Sequence, residues 1–124
     1  MNEFGPLLKQ LRLSHRVTLR GIASKAGVSS TYISELERGV KAAPSKEVLD
    51  KIVKAMNLDK DEASQLYQMA GKTQNTIAYD LPEYIMNRDY VAAALRVARD
   101  VGAGKEIWDK FVEELYANEN SKEV

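Results

Sequence analysis

Breaking bonds takes a nucleophile, a base or a cage for a metal, and this sequence is poor in all three. It has a single histidine, His15, and no cysteine. A Cys/His nucleophile, a thiolate metal site and a disulfide are therefore excluded. His15 falls near the end of an expected first helix and reads as a surface residue, not a ligand. The close acidic pairs, Asp59/Asp61 and Glu113/Glu114, read as helix caps or solvated faces, and no glycine-rich phosphate loop occurs. The chain is expected to be a non-enzyme with no cofactor and no metal. What its residue types do suit is recognition by hydrogen bonding. On a helix starting near Ser29, Ile33 and Leu36 share one side, and the opposite side displays Ser30, Thr31, Ser34 and Glu35. Hydroxyls both donate and accept, whereas a carboxylate only accepts.

The elements that must position this face are legible in TLRGIASKAGVSSTYISELERG, residues 18 to 39. Two short helical patterns are separated by Ala26-Gly27-Val28. Leu19, Ile22 and Ala23 line one face of the first, Ile33 and Leu36 line one face of the second, and Val28 bridges them. Thr18 and Ser29 stand where N-caps belong, since their oxygens can accept a free backbone N–H of the following turn. Gly27 can supply the positive φ that a tight turn between crossed helices needs. Two helices joined in this way form a helix-turn-helix, whose second helix can enter the major groove. The implied chemistry is sequence-specific binding of DNA, with Glu35 able to accept from a cytosine amino group. Thr18, Arg20, Arg38 and Lys41 flank the face and suit phosphate contacts. Tyr32 either lays its hydroxyl on a phosphate or covers the rim of the core. Short hydroxyls reach little, so each base contact should discriminate modestly and DNA shape should contribute.

These residues resemble the Cro/cI-type, or XRE-type, helix-turn-helix regulators. The match lies in the order and spacing of Thr18, Leu19-Arg20, Ile22-Ala23, Ala26-Gly27-Val28-Ser29, Tyr32-Ile33-Ser34 and Leu36-Glu37-Arg38-Gly39. It extends over about residues 4 to 70 and is most specific from Ser29 to Gly39. Gly21 departs from the pattern, where a longer polar residue is usual. The resemblance implies a five-helix, lambda-repressor-like domain with residues 29–38 as recognition helix. It places Ser29, Ser30 and Thr31 against base edges. It also implies a structural ion pair between Arg12 and Glu37, with Glu37 making no DNA contact.

Periodicity carries the all-α reading along the rest of the chain. Phe4, Leu7, Leu8 and Leu11 recur at helical spacing, with Asn2 as cap and Pro6 in the first turn. After a loop ending at Pro44, Ser45 caps a helix carrying Val48, Leu49, Ile52, Val53 and Met56. Asp59 and Glu62 have capping-box spacing ahead of Ala63, Leu66, Tyr67 and Ala70, and Gly71 is expected to end that helix. The first domain is placed at residues 1–72. Residues 73–80 lose periodicity and read as a linker, and 81–118 read as a C-terminal helical segment. Within that segment a short turn runs from Leu81 to Met86. Asp89 is expected to cap a helix bearing Val91, Ala94, Leu95, Ala98 and Val101, and Gly102-Ala103-Gly104 breaks the pattern. Trp108, Phe111, Val112, Leu115 and Tyr116 then mark a last helix, and residues 119–124 a frayed tail.

Charge is uneven although the net is zero: residues 1–72 carry 12 basic against 8 acidic residues, and residues 73–124 carry 6 against 10. A basic front half suits a chain that meets phosphate with one end. No apolar run approaches a membrane span and no leader pattern opens the chain, so a cytoplasmic protein is expected. Two amphipathic helices cannot bury both apolar faces unaided. Either they fold back on the first domain as an extra layer, or they dimerise, or they hold a ligand or protein partner. Dimerisation is favoured, because a palindromic operator offers two half-sites. Leu95, Trp108, Phe111, Val112 and Leu115 are the expected interface, with the two large aromatics as anchors. The expected protein is a dimeric transcriptional repressor acting on double-stranded DNA. The alternative is an antitoxin-like protein whose C-terminal helices bind a partner.

Overall fold

A computed structural model of the chain describes residues 3–122, with side-chain environments from 3 to 119. Among the described residues every regular element is a helix: α1 Phe4–Ser14, α2 Leu19–Ala26, α3 Ser30–Glu37, α4 Lys46–Ala55, α5 Lys60–Thr73, α6 Pro82–Met86, α7 Asp89–Val101 and α8 Lys105–Lys122. The backbone divides into two compact units, Met1–Tyr84 and Ile85–Val124.

The first unit encloses one core. Phe4, Leu8, Ile22, Ile33, Leu36, Leu49, Ile52 and Leu66 are fully buried. They are the apolar residues that helical spacing puts on one face of each of α1 to α5, and removing those faces from water holds the unit together. Helix starts are set by local hydrogen bonds. The Oγ1 of Thr18 accepts the Gly21 N–H at 2.9 Å, Ser29 Oγ accepts from Tyr32 at 3.0 Å, and Ser45 Oγ accepts from Val48 at 3.3 Å. Asp59 and Glu62 complete a capping box, each side chain accepting the other's backbone N–H. The first helix starts behind Glu3, which makes no side-chain cap bond. The expected cap, Asn2, lies outside the described residues.

Several boundaries differ from the sequence expectation. Helix α5 continues through Gly71 to Thr73. Gly71 is buried, and a Cβ on it would stand 2.3 Å from the Ile77 carbonyl oxygen. This glycine admits a neighbouring backbone and does not end a helix. The segment after α5 is accordingly a strap packed on the unit. Thr76 N–H donates to Gly71 O at 2.8 Å, Ala78 is buried, and Tyr79 packs against the core. Lys46 reaches Asp50 at 3.0 Å and Glu83 at 3.4 Å, which ties the start of α6 to α4. The first unit thus extends to Tyr84, beyond the expected boundary at 72.

In the second unit Asp89 is the first residue of α7 and Arg88 occupies the cap position. A carboxylate in the first turn still favours the positive helix terminus. Gly102 ends α7 with φ 70°, a conformation that costs glycine little. Helix α8 runs through the expected frayed tail as far as Lys122. None of the described residues of this unit is buried.

Candidate nucleic-acid interface

Helices α2 and α3 pack on each other across a turn in which Gly27 has φ 70°. Val28 N–H donates to Ala23 O at 3.0 Å, which closes the end of α2. Ile33 and Leu36 pin α3 from beneath. Its other side carries the hydrogen-bonding face: Thr31 is exposed, while Ser30, Ser34 and Glu35 are half-buried along the same surface. Ser29 stands exposed just before it. Its oxygen caps α3, and the hydroxyl keeps a proton to donate and a second lone pair. Capping and an outward contact are therefore compatible at this residue. The same holds for Thr18 at the start of α2, where Arg20 is also exposed.

The far end of α3 is built around backbone carbonyls. Arg38 N–H donates to Ser34 O at 3.0 Å, and Gly39 takes φ 75°. Val40 N–H then returns to Glu35 O at 2.9 Å. This turn leaves Arg38 and Lys41 exposed beside the hydroxyl face. The Arg38 Nε also donates to Ser34 Oγ at 3.4 Å, so one cation lies against the face it flanks. Tyr32 is half-buried and packs on the core, and burial pushes its phenol above the ordinary range.

Two contacts from α1 hold the end of α3. Arg12 Nε donates to Glu37 Oε2 at 2.6 Å and Nη2 to Oε1 at 3.1 Å, a two-point fork on a carboxylate only 8% exposed as a residue. Arg12 Nη1 also donates to Val17 O at 3.3 Å, tying the fork to the α1–α2 connection. The second contact involves Gly5, which is buried against the carbonyls of Leu36 and Glu37. Nothing in the turn around Gly5 marks this approach, because the carbonyls it admits belong to another helix. His15 is half-buried as well, its Nε2 lying 2.9 Å from both Glu62 oxygens and linking α1 to α5. That bond, followed by the one from Asp59 N–H, holds the Glu62 carboxyl below its ordinary range.

The second unit presents the expected interface residues to solvent. Trp108 is 38% exposed and Leu95, Phe111, Val112 and Leu115 more so. Trp108 and Phe111 meet edge to face, their ring centres 6.1 Å apart. No group of acidic and histidine side chains suited to a metal occurs among the described residues, and none of their helices is long and apolar enough to cross a membrane.

Residues 8–62 match the family described as HTH_3, Helix-turn-helix. The chain is 37% identical over 67 residues to an uncharacterized HTH-type transcriptional regulator of Mycobacterium tuberculosis, a match covering 54% of this chain and 45% of the relative. The chain therefore spans about half the length of that relative. It is 29% identical over 80 residues to the HTH-type transcriptional regulator SinR of Bacillus licheniformis, covering 59% of this chain and 72% of SinR. With the transcriptional regulator ClgR of Mycobacterium tuberculosis it shares 44% identity over 54 residues, covering 44% and 47% of the two chains. Among solved structures, a complex of SinR protein and SinI protein aligns over 94% of this chain and 98% of that one, with 21% identity and a TM-score of 0.46.

Proposed function

We propose, from the match of residues 8–62 to the helix-turn-helix family HTH_3, that the chain is a sequence-specific DNA-binding transcriptional regulator. One observation carries the reading. A short helix, α3, buries Ile33 and Leu36 and on its other side exposes Thr31 with Ser34 and Glu35 half-buried beside it, and exposed cations lie at the margins of that face. Such a helix can enter a major groove edge-on and exchange hydrogen bonds with bases.

In this reading Ser29, Ser30, Thr31, Ser34 and Glu35 read bases, and Thr18, Arg20, Arg38 and Lys41 hold phosphates. Tyr32, packed at the rim of the core, lays its hydroxyl on a phosphate. Arg12 and Glu37 act only by holding α3. The protein works as a homodimeric repressor on a palindromic operator, its copies joined through α7 and α8. Support for a covering partner comes from the second unit, where two amphipathic helices bury no described residue. Water contact at Trp108, Phe111 and Leu115 is unfavourable, and a second copy would remove it. No catalytic role is proposed for any residue.

Selection of binding sites from random duplex DNA tests the reading. A short enriched motif, repeated with inverted symmetry at a spacing of about one or two helical turns, is the expected result. Failure to enrich any sequence would remove the DNA-reading role. Enrichment of single, unpaired half-sites would keep that role and remove the dimer, leaving the C-terminal helices to another protein.

A further inference from the structure

The inference rests on the reading of α3 as the base-reading helix. The first turn of α1 lies directly on the last turn of α3. A Cβ at Gly5 would stand 2.5 Å from the Glu37 carbonyl oxygen and 2.6 Å from that of Leu36. Both are backbone atoms and cannot rotate aside. Gly5 does not have a positive φ, so no special backbone conformation calls for glycine here. Within a helix glycine is disfavoured relative to alanine. Space, and not conformation, accounts for it.

A second grip on the same turn comes from Arg12, whose guanidinium holds the Glu37 carboxylate at 2.6 and 3.1 Å. Residues seven apart lie on one helix face roughly 10 Å from each other. Helix α1 therefore holds the end of α3 through its main chain at one point and a side chain at another. Helix α3 has only 8 residues, so a push at its end is carried to Ser34, Glu35 and Thr31.

We propose that Gly5 is a specificity-determining positioning residue: the space left by its missing side chain sets the tilt of α3, and base discrimination depends on that tilt more than phosphate affinity does. To reach ordinary contact distance a methyl at position 5 must part the first turn of α1 from the end of α3 by roughly 1 Å, beyond the ~0.5 Å tolerance of a binding constellation. Phosphate contacts by long, flexible cations absorb such a shift; short hydroxyls at base edges do not.

The test is Gly5→Ala in the full chain, titrated with the selected site and with a scrambled duplex at several salt concentrations. The temperature is chosen so that circular dichroism shows every protein folded. Leu66→Val, a core truncation in α5 at a fully buried residue, is the stability control. Gly5→Ala should lose about tenfold of its preference for the selected site, while scrambled-duplex affinity stays within about twofold and the salt slope holds. Leu66→Val should keep the preference. Equal weakening on both duplexes, an unchanged preference, or the same loss in Leu66→Val overturns the proposal. So does a Gly5→Ala chain that fails to fold, since the contact would then serve the core alone. A wild-type chain that does not distinguish the two duplexes sinks the underlying DNA reading instead, and this proposal with it.

Discussion

Side chains on and around α3 divide by reach. Thr31 is short and exposed near the start of the helix, whereas Arg38 and Lys41 are long and lie past its end. The proposed roles predict that Thr31→Ala lowers affinity for the selected site by about 1–3 kcal/mol and flattens preference at one or two base positions. Arg38→Ala and Lys41→Ala should weaken binding to all sequences alike, each reducing the salt slope by about one. Fluorescence titrations on matched and scrambled DNA over a salt series check both. A Thr31→Ala protein with intact base preference would reverse the assignment. Beneath that face, Arg12 and Glu37 are mostly withdrawn from water and paired at two points. Arg12→Ala leaves the Glu37 carboxylate buried without its partner and should cost about 3 kcal/mol of unfolding free energy. Arg12→Met combined with Glu37→Leu should recover most of that loss, because neither charge remains to be desolvated. If denaturant melts show the double variant as unstable as the single, the pair is more than a matched burial.

Two elements are held by contacts beyond a single helical turn. The strap over α5 exists because Gly71 has no side chain, and Gly71→Ala would press a methyl against the Ile77 carbonyl and the Ala78 nitrogen. Overpacking of this kind should destabilise the first unit by about 1–3 kcal/mol and raise hydrogen exchange at Thr76, whose N–H bonds to Gly71 O. Unchanged exchange at Thr76 would mean that the strap is held elsewhere. The start of α5 is joined to α1 by His15 and Glu62. The Glu62 carboxyl is held below its ordinary range, first by the His15 bond and then by Asp59 N–H. A depressed carboxylate stabilises the fold above its unfolded value of about 4.3, and the contribution disappears as pH falls through the lower folded value. Glu62→Gln keeps a cap acceptor but loses the charge. The melting temperatures of wild type and Glu62→Gln should differ near neutral pH and converge in acid below that range. A gap that does not change with pH would show that the charge at Glu62 is immaterial.

Among the described residues, the molecule combines a unit with a closed core and a unit that buries none of its side chains. Phe4, Leu8, Ile22 and their neighbours satisfy the first unit alone, while Trp108, Phe111, Val112 and Leu115 remain in water. The proposed dimer predicts that Trp108→Ala with Phe111→Ala shifts the solution mass toward monomer. The same protein should lose more affinity for a paired site than for an isolated half-site. Sedimentation and duplex titrations measure the two effects. A mass unchanged by the double substitution would move the interface off α8, and a monomeric wild type would leave that face to a different partner.

What was legible in the sequence was local. Thr18, Ser29, Ser45 and Asp59 cap helices through bonds that span three residues, so the composition of a single turn suffices to foretell them. The apolar faces of α1 to α5 follow from period 3.6, and with them the hydroxyl face of α3. The Arg12–Glu37 pairing was inferred only through family resemblance, because 25 residues separate the partners. Nothing in local composition showed that His15 would meet Glu62, 47 residues away, or that Tyr67 would donate to Asp50 at 2.5 Å. Gly5 and Gly71 were the hardest to read. Glycine disfavours a helix interior, and its value at these two positions is an absence of atoms that matters only when another backbone arrives to fill the space. Loss of periodicity after Thr73 looked like a linker for the same reason: a strap held by main-chain bonds needs no repeating side chains. Pattern along a chain reports which faces must be covered, but close approach between segments is a property of packing and exists only once the helices are assembled.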